Sequence, residues 1–383
     1  MNVSRLFVSI LLFLPFACID RIIFEIDLPP SFPISVSGRI TNQPGPYKVY
    51  LTSSFDIESD VNLKTPVSAK HVNLLDELGN NEELVEVEAG VYQTNSTLGR
   101  IGGVYQIRIE FSDGRIYESI PDTLLAPGEI DRLYYTFNSK TDYSGSQSYG
   151  FDIFVSGQGN ARNDIRYMWN MTGTFKSITR PENINPRKSG CNPIPEEQGK
   201  CNFLPPCTGL RNTAPIGAAP IFERIGPCTC CTCWYQVFNN APVISDALFN
   251  STGDYRDVSI FRVPLNAWIF MFKIHVEVSQ FTLTKNAFDF FKSIQAQKEA
   301  VGSLFQPVTG KIANTFIQVS GSPSPINGIF YAAGASTKSE YISGSDVPAP
   351  IPVPEVDFSQ LGAISCFDLY PHASNVKPDF WED

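Results

Sequence analysis

The sequence predicts a mainly β protein. We expect an N-terminal immunoglobulin-like or transthyretin-like sandwich, then a larger β-rich domain with one amphipathic helix and a disulfide-stapled loop. Three observations predict this fold class. Apolar and polar residues alternate in short runs, as in half-buried strands. The 27 glycines and 29 prolines among 383 residues separate those runs with turns. At about 150 residues per domain, the length fits two domains.

The first residues have the pattern of a secretory signal peptide. Arg5 precedes an apolar run that ends at Ala17 and is shorter than the roughly 20 residues of a membrane-spanning helix. The small residue before Cys18 is typical of bacterial lipoprotein cleavage sites, although Pro15 stands where leucine is usual. Residues 1–17 are therefore predicted to be a lipoprotein signal peptide, and Cys18 the acylated (palmitate-bearing) anchor. The alternative is an ordinary secretory signal, with Cys18 free or in a disulfide.

Residues 18–33 form a predicted tether, and residues 34–120 form the predicted sandwich. Seven short strand patterns lie in this range. The clearest has Tyr105, Ile107, Ile109 and Phe111 on one face and polar residues on the other. Residues 121–130 contain two prolines and a glycine between strand patterns, which predicts a linker.

The second predicted domain spans residues 131–383 and contains a cysteine-rich insertion at 191–233. Its strand patterns lie at 133–137, 149–156, 165–177, 257–263, 269–283, 312–319 and 328–334. One helix is predicted from Lys285 to Glu299, with Thr284 as its cap. Its apolar residues recur at spacings of three and four, so we expect it to cover a sheet; a recognition helix for a partner is the alternative.

Nine cysteines indicate an oxidising compartment. Besides Cys18, the disulfide candidates are Cys191, Cys201, Cys207, Cys228, Cys230, Cys231, Cys233 and Cys366. The run CTCCTC at 228–233 lacks the paired C-x2-C spacing of structural zinc sites, so disulfides are preferred over zinc, copper(I) or free thiols. We expect the adjacent Cys230 and Cys231 to reach different partners. Cys366 is expected to fasten the C-terminal tail to this loop.

The chain offers few candidates for chemistry. The three histidines, His71, His275 and His372, do not form a metal-binding pair, and no nucleophile elbow or phosphate-binding glycine loop occurs. We therefore predict no catalytic residues, no metal and no cofactor, with a glycosidase carboxylate pair as the alternative. Trp234 and Tyr235 are candidate contact residues for a sugar or peptide, with core packing as the alternative. A net charge of −10 argues against a nucleic-acid partner.

Several separated segments carry a family resemblance. They are ITNQPGPYKVYLTSS (40–54), LAPGEIDRLYY (125–135), TLTKNAFDFFKSIQAQ (282–297), GSLFQPV (302–308) and CFDLYPHASNVKPDFW (366–381). With the signal peptide, they resemble an outer-membrane lipoprotein family of Bacteroidota catalogued as domain of unknown function 4249. The resemblance implies an immunoglobulin-like domain followed by a β-rich domain. It also implies a gene encoded beside a TonB-dependent, SusC-like transporter, as is common for members of this family. The tail departs from the denser cysteine pattern of many members.

Three functions are compatible with these observations. We expect an outer-membrane lipoprotein, surface-facing in preference to periplasmic, that is a non-enzymatic accessory or binding subunit of a TonB-dependent or other β-barrel complex. The first alternative is a structural subunit of an outer-membrane secretion or assembly machine. The second is a surface hydrolase of glycans or peptides.

Overall fold

The computed structural model describes residues 34–53, 65–158, 166–181, 206–213, 221–239, 241–245, 254–301, 314–358 and 364–382. The predicted signal peptide and tether lie outside these ranges. The prediction of a mainly β protein is confirmed. The strands of the first half are β1 (Ile34–Thr41), β2 (Lys48–Ser53), β3 (Thr65–Pro66), β4 (His71–Asp76), β5 (Asn81–Glu83), β6 (Val85–Glu88), β7 (Val91–Gln93), β8 (Val104–Glu110), β9 (Ile116–Ser119), β10 (Asp122–Thr123), β11 (Glu129–Thr141), β12 (Gln147–Gln158) and β13 (Arg166–Ile178).

The second half adds eight strands and two helices. The strands are β14 (Leu210–Asn212), β15 (Phe222–Arg224), β16 (Thr232–Phe238), β17 (Val243–Ile244), β18 (Tyr255–Pro264), β19 (Lys273–Leu283), β20 (Phe316–Ser320) and β21 (Ile326–Ser343). The helices are α1 (Lys285–Val301) and α2 (Cys366–Leu369). No helix in the described ranges is both long enough and apolar enough to span a bilayer.

The first core lies between two sheets. One face belongs to a ten-stranded sheet with the order β16-β13-β19-β21-β1-β2-β7-β6, in which β17 also pairs with β13 and β3 with β2. The other belongs to a six-stranded sheet with the order β20-β9-β8-β4-β5, in which β10 also pairs with β8. Val36 and Leu51 come from the first sheet and Ile107 and Ile109 from the second, and all four are buried in one cluster. The alternation predicted from Tyr105 onward is confirmed, because the residues of β8 are alternately buried and half-buried. The arrangement is a β-sandwich.

A second core packs the sheet β11-β12-β18 against the other part of the ten-stranded sheet. Phe151 and Ile153 meet Trp169 and Ile274 in this cluster. The predicted strand pattern at 269–283 is corrected at its start: Ile269–Met271 is a 3-10 turn, and β19 begins at Lys273. The side chain of Asn266 accepts a hydrogen bond from the Trp268 N–H at 2.8 Å, which favours a turn there.

Strand β21 belongs to both cores. Its first part pairs in parallel with all of β1, and its later part pairs antiparallel with β19. Strand β20 pairs with β9, and β10 pairs with β8 from within the predicted linker. Backbone hydrogen bonds therefore join strands that precede residues 121–130 to strands that follow them. The division of the chain at these residues, with the domain ranges built on it, stays a prediction.

Asp122 connects three elements: β10, to which it belongs, the start of α1, and β21. Its buried carboxylate accepts hydrogen bonds from the Thr284 hydroxyl at 2.6 Å and from the Ala332 N–H at 2.9 Å. Burial raises the pKa of Asp122, although both hydrogen bonds oppose the shift. Thr284 also accepts a long bond, 3.4 Å, from the Ala287 N–H, so the predicted helix and its cap are confirmed. Asp122 thus fixes the start of α1 against β21.

A substitution at Gly328 tests the close approach of β21 to β1. Gly328 has φ +132, and a Cβ there would overlap the carbonyl oxygen of Val36. Gly79 is the control, because its φ is +85 but a Cβ added there would have no other heavy atom within 4 Å. We expect Gly79→Ala to cost about 1 kcal/mol of unfolding free energy, from backbone strain alone. Gly328→Ala should cost about 3 kcal/mol, because overlap adds to strain. Urea unfolding measures both, and equal losses would contradict the close approach.

Candidate interaction site

Six of the eight candidate cysteines form three disulfides. The pairs are Cys207–Cys230, Cys228–Cys231 and Cys233–Cys366. Cys230 and Cys231 reach different partners, and Cys366 fastens the C-terminal tail, as the sequence predicted. Cys18, Cys191 and Cys201 lie outside the described residues. In the described ranges, no group of three or more His, Cys, Asp or Glu side chains is arranged to hold a metal ion.

Two of these disulfides hold a short β-hairpin, which we call the anchored hairpin (residues 207–231). Strands β14 and β15 pair with each other and with no other described strand. At the base, the Thr229 N–H donates to the Cys207 carbonyl at 2.8 Å, beside the Cys207–Cys230 bond. The Ile225 N–H donates to the carbonyl of Gly209, whose φ is +67. An isolated two-stranded hairpin is marginally stable in water, so the covalent base supplies the missing constraint.

The anchored hairpin presents apolar side chains to solvent. Ile221, Phe222 and Ile225 are 58%, 36% and 64% exposed. Every residue from 221 to 225 is exposed, so successive side chains on both faces of β15 are open. Arg211 and Arg224 are exposed on the same hairpin. Apolar side chains flanked by arginine are typical of protein contact surfaces, because both residue classes are enriched at the centres of interfaces.

The C-terminal residues 364–382, which we call the C-terminal clasp, wrap around the edge strand β16. On the core side, Tyr370 stacks on Tyr235 with ring centroids 4.6 Å apart. At the edge, Trp234 and Ser374 exchange two backbone hydrogen bonds of 2.8 and 2.9 Å. On the opposite face, Trp381 meets Trp234 edge to face. The clasp therefore holds β16 from both faces, and the Cys233–Cys366 bond fixes its beginning.

The end of the clasp buries a histidine. The ring of Phe380 stacks on His275, with centroids 4.3 Å apart, and Tyr341 flanks the same imidazole. The Tyr341 hydroxyl donates to the Phe380 carbonyl at 2.5 Å. Desolvation lowers the pKa of His275, and the carboxylate of Glu382 opposes that shift. The neutral imidazole is therefore the form that fits beneath the clasp.

The structure places Trp234 and Tyr235 within this clasp. Both are half-buried, and their rings pack on Trp381 and Tyr370. Both rings thus take part in packing, as in the alternative interpretation, and their role as contact residues stays a prediction. The exposed residues of the anchored hairpin had no comparable signal in the sequence. The apolar residues of this segment are few and lie between prolines and glycines, so the alternation typical of a strand is absent.

A family model described as Domain of unknown function (DUF4249) matches residues 23–339. The matched range contains the first core, most of the second core, the anchored hairpin and α1, and it ends before the C-terminal clasp. A comparison with curated proteins found no match.

The disulfides should differ in their contribution to stability. Chain entropy assigns about 5 kcal/mol to closing the 133-residue separation of Cys233–Cys366, and about 2 kcal/mol to the 3-residue separation of Cys228–Cys231. We expect Cys233→Ala/Cys366→Ala to lose more unfolding free energy in denaturant titrations than Cys228→Ala/Cys231→Ala. Hydrogen exchange at 366–382 should rise in the first double variant only. Equal exchange in both variants would contradict the conclusion that the Cys233–Cys366 bond holds the clasp in place.

Acid should loosen the clasp through His275. Because burial lowers its pKa in the folded state, neutral His275 stabilises the fold above pH 6.5, and that contribution is lost as pH falls through the folded-state pKa. We expect hydrogen exchange at 378–382 to rise between pH 7.5 and 5 in the wild type, and to rise less in His275→Gln. The control is His372→Asn, which changes an exposed histidine of the same clasp. A wild-type response in His275→Gln would refute this role.

Proposed function

The chain belongs to the family described as Domain of unknown function (DUF4249), and from that premise we propose that it is an outer-membrane-anchored lipoprotein. In this proposal it acts as an accessory or binding subunit of a β-barrel complex, with a TonB-dependent, SusC-like transporter as the partner. The observation that carries the proposal is the anchored hairpin, in which a disulfide-bonded base holds Ile221, Phe222 and Ile225 in solvent. An exposed apolar set on a rigid support is a feature of partner-binding surfaces.

The proposed anchor limits which partners are within reach. If Cys18 carries the lipid, the tether of residues 18–33 spans at most about 55 Å when fully extended. The body would then stay beside the membrane, where embedded proteins are the accessible partners. The disulfides agree with an exported location, because such bonds persist in oxidising compartments.

The charge of the chain favours a protein contact over a lipid contact. A net charge of −10 opposes adsorption to anionic headgroups. One carboxylate of the anchored hairpin, Glu223, lies opposite Arg211 in the ladder. The hairpin is nevertheless locally basic because of its two arginines, Arg211 and Arg224. They suit acidic loops on a partner, since the guanidinium pairs well with carboxylates. We therefore propose that the hairpin inserts its apolar residues into the partner while its arginines meet carboxylates at the rim.

The test compares purifications of the tagged full-length chain from its native outer membrane in mild detergent. We expect the wild type to bring down one β-barrel protein in stoichiometric amount, and Phe222→Asp/Ile225→Asp to lose it. The control, Ile317→Asp, changes a residue of β20 that is 59% exposed and should retain the partner. With purified barrel, the hairpin variant should weaken the Kd at least about tenfold, which is 1.4 kcal/mol.

The outcomes separate the functions. A TonB-dependent barrel supports the accessory role, whereas a secretion or assembly barrel supports the machine-subunit alternative. Recovery of the wild type alone would overturn both and leave the hydrolase to be screened. Cys18→Ser tests the anchor separately: we expect it to lose palmitate labelling and leave the membrane fraction. Retention of the label would refute acylation at that residue.

A further inference from the structure

A pocket of about 400 Å³ lies on the ten-stranded sheet, away from the elements of the anchored hairpin and the C-terminal clasp. We call it the β1–β2 pocket. Its lining residues are Ser37, Gly38, Arg39, Pro46, Tyr47, Lys48, Tyr50 and Tyr331. This volume is in the range of small-molecule sites. The pocket is also built on paired strands, so its side chains have a fixed backbone beneath them.

The charge of the β1–β2 pocket is opposite to that of the whole chain. Arg39 and Lys48 line it, and no carboxylate does, in a protein with a net charge of −10. Neither cation forms an ion pair with a described residue. Gly38 pairs with Val49, and Arg39 and Lys48 are the next residues of these two neighbouring strands. Like charges close together on neighbouring strands destabilise a sheet, and a bound anion would reduce that cost.

The guanidinium of Arg39 is held in place before any ligand arrives. It lies 4.4 Å from the ring centroid of Phe281, a cation–π contact. Arg39 also lies beside Tyr331, its partner in the parallel ladder. The ring of Tyr331 packs against Phe291 of α1, which supports it from behind. A guanidinium fixed in this way loses little freedom on binding, and its planar fork matches two oxygens of one anion.

We propose that the β1–β2 pocket binds a small hydroxylated molecule through a carboxylate or phosphate group. Arg39 receives the anionic oxygens in its fork, and Lys48 supplies the second positive charge. The hydroxyls of Ser37 and Tyr50, which also line the pocket, are available to the hydroxyl groups of the ligand body. Acidic sugars and sugar phosphates have this chemistry. The inference is independent of the proposed partner, because it requires only the chain itself.

The test is calorimetric titration of the purified full-length chain in detergent with four probes: glucuronate, glucose 6-phosphate, inorganic phosphate and glucose. We expect binding of at least one of the first two, weakened by added salt, and none of glucose. Glucuronate binding alone assigns a carboxylate ligand, and glucose 6-phosphate alone a phosphate ligand. Arg39→Gln should weaken binding at least tenfold and Lys48→Gln at least threefold. The control Lys140→Gln makes the same charge change on β11 and should bind as the wild type does.

Two further measurements separate loss of binding from loss of the fold: the affinity of Arg39→Lys and the thermal unfolding of each variant. Arg39→Lys retains the charge and removes the fork, so its affinity should fall between those of the wild type and Arg39→Gln. Thermal unfolding of each variant shows whether the fold is retained, and Lys48→Gln, which has no ring contact to lose, is the fallback if Arg39→Gln unfolds. Absence of binding by both glucuronate and glucose 6-phosphate, binding of glucose as tight as that of the acidic sugar that binds, or unchanged affinity in a folded Lys48→Gln would each overturn the proposal.

Discussion

The fold depends on the burial of β21 from both sides. Phe330 and Ala332 face the core between the two sheets, while Ile329, Tyr331 and Ala333 face α1 and its neighbours. Parallel strand pairing is stable where both faces of the strand are covered, and β1 and β21 pair in parallel across almost the whole length of the chain. The helix α1 covers the second of these faces, so it supports the parallel pairing of β1 and β21. The buried carboxylate of Asp122 fixes that helix at its first turn.

Local patterns in the sequence predict the elements but not their partners. The alternation in β1, β2 and β8 and the helical spacing in α1 are visible because one side of each element faces a core. Strand β21 is buried on both faces only at residues 329–335, and residues 337–340 are polar and exposed. The apolar pattern therefore predicts a strand only at 328–334, whereas the strand spans Ile326–Ser343. The pairing of β20 with β9 could not be predicted, because register between distant segments is a tertiary property.

For the candidate site, too, the sequence predicts the components but not how they pair. The number of cysteines and their crowding indicated disulfides, and the position of Cys366 indicated a tether. The three pairs had to come from geometry, because spacing does not specify connectivity. The sequence indicates Trp234 and Tyr235 as candidate contact residues, whereas aromatic residues of the clasp, more than 130 positions away, pack on both rings. Burial by a distant segment leaves no local trace in the sequence.

The clasp and the β1–β2 pocket share one sheet, and the two edges of that sheet are protected differently. At β16 the clasp supplies backbone partners for Trp234, which closes that part of the edge to pairing with another chain. At β6 every residue is exposed, and Glu86 and Glu88 alternate with valines, so charge opposes edge-to-edge association. Between these edges, continuous hydrogen bonding from β16 through β21 to β2 holds the pocket residues in register. A ligand on that ladder would meet a preformed site, whereas the anchored hairpin, outside the sheet, relies on its disulfides for comparable rigidity.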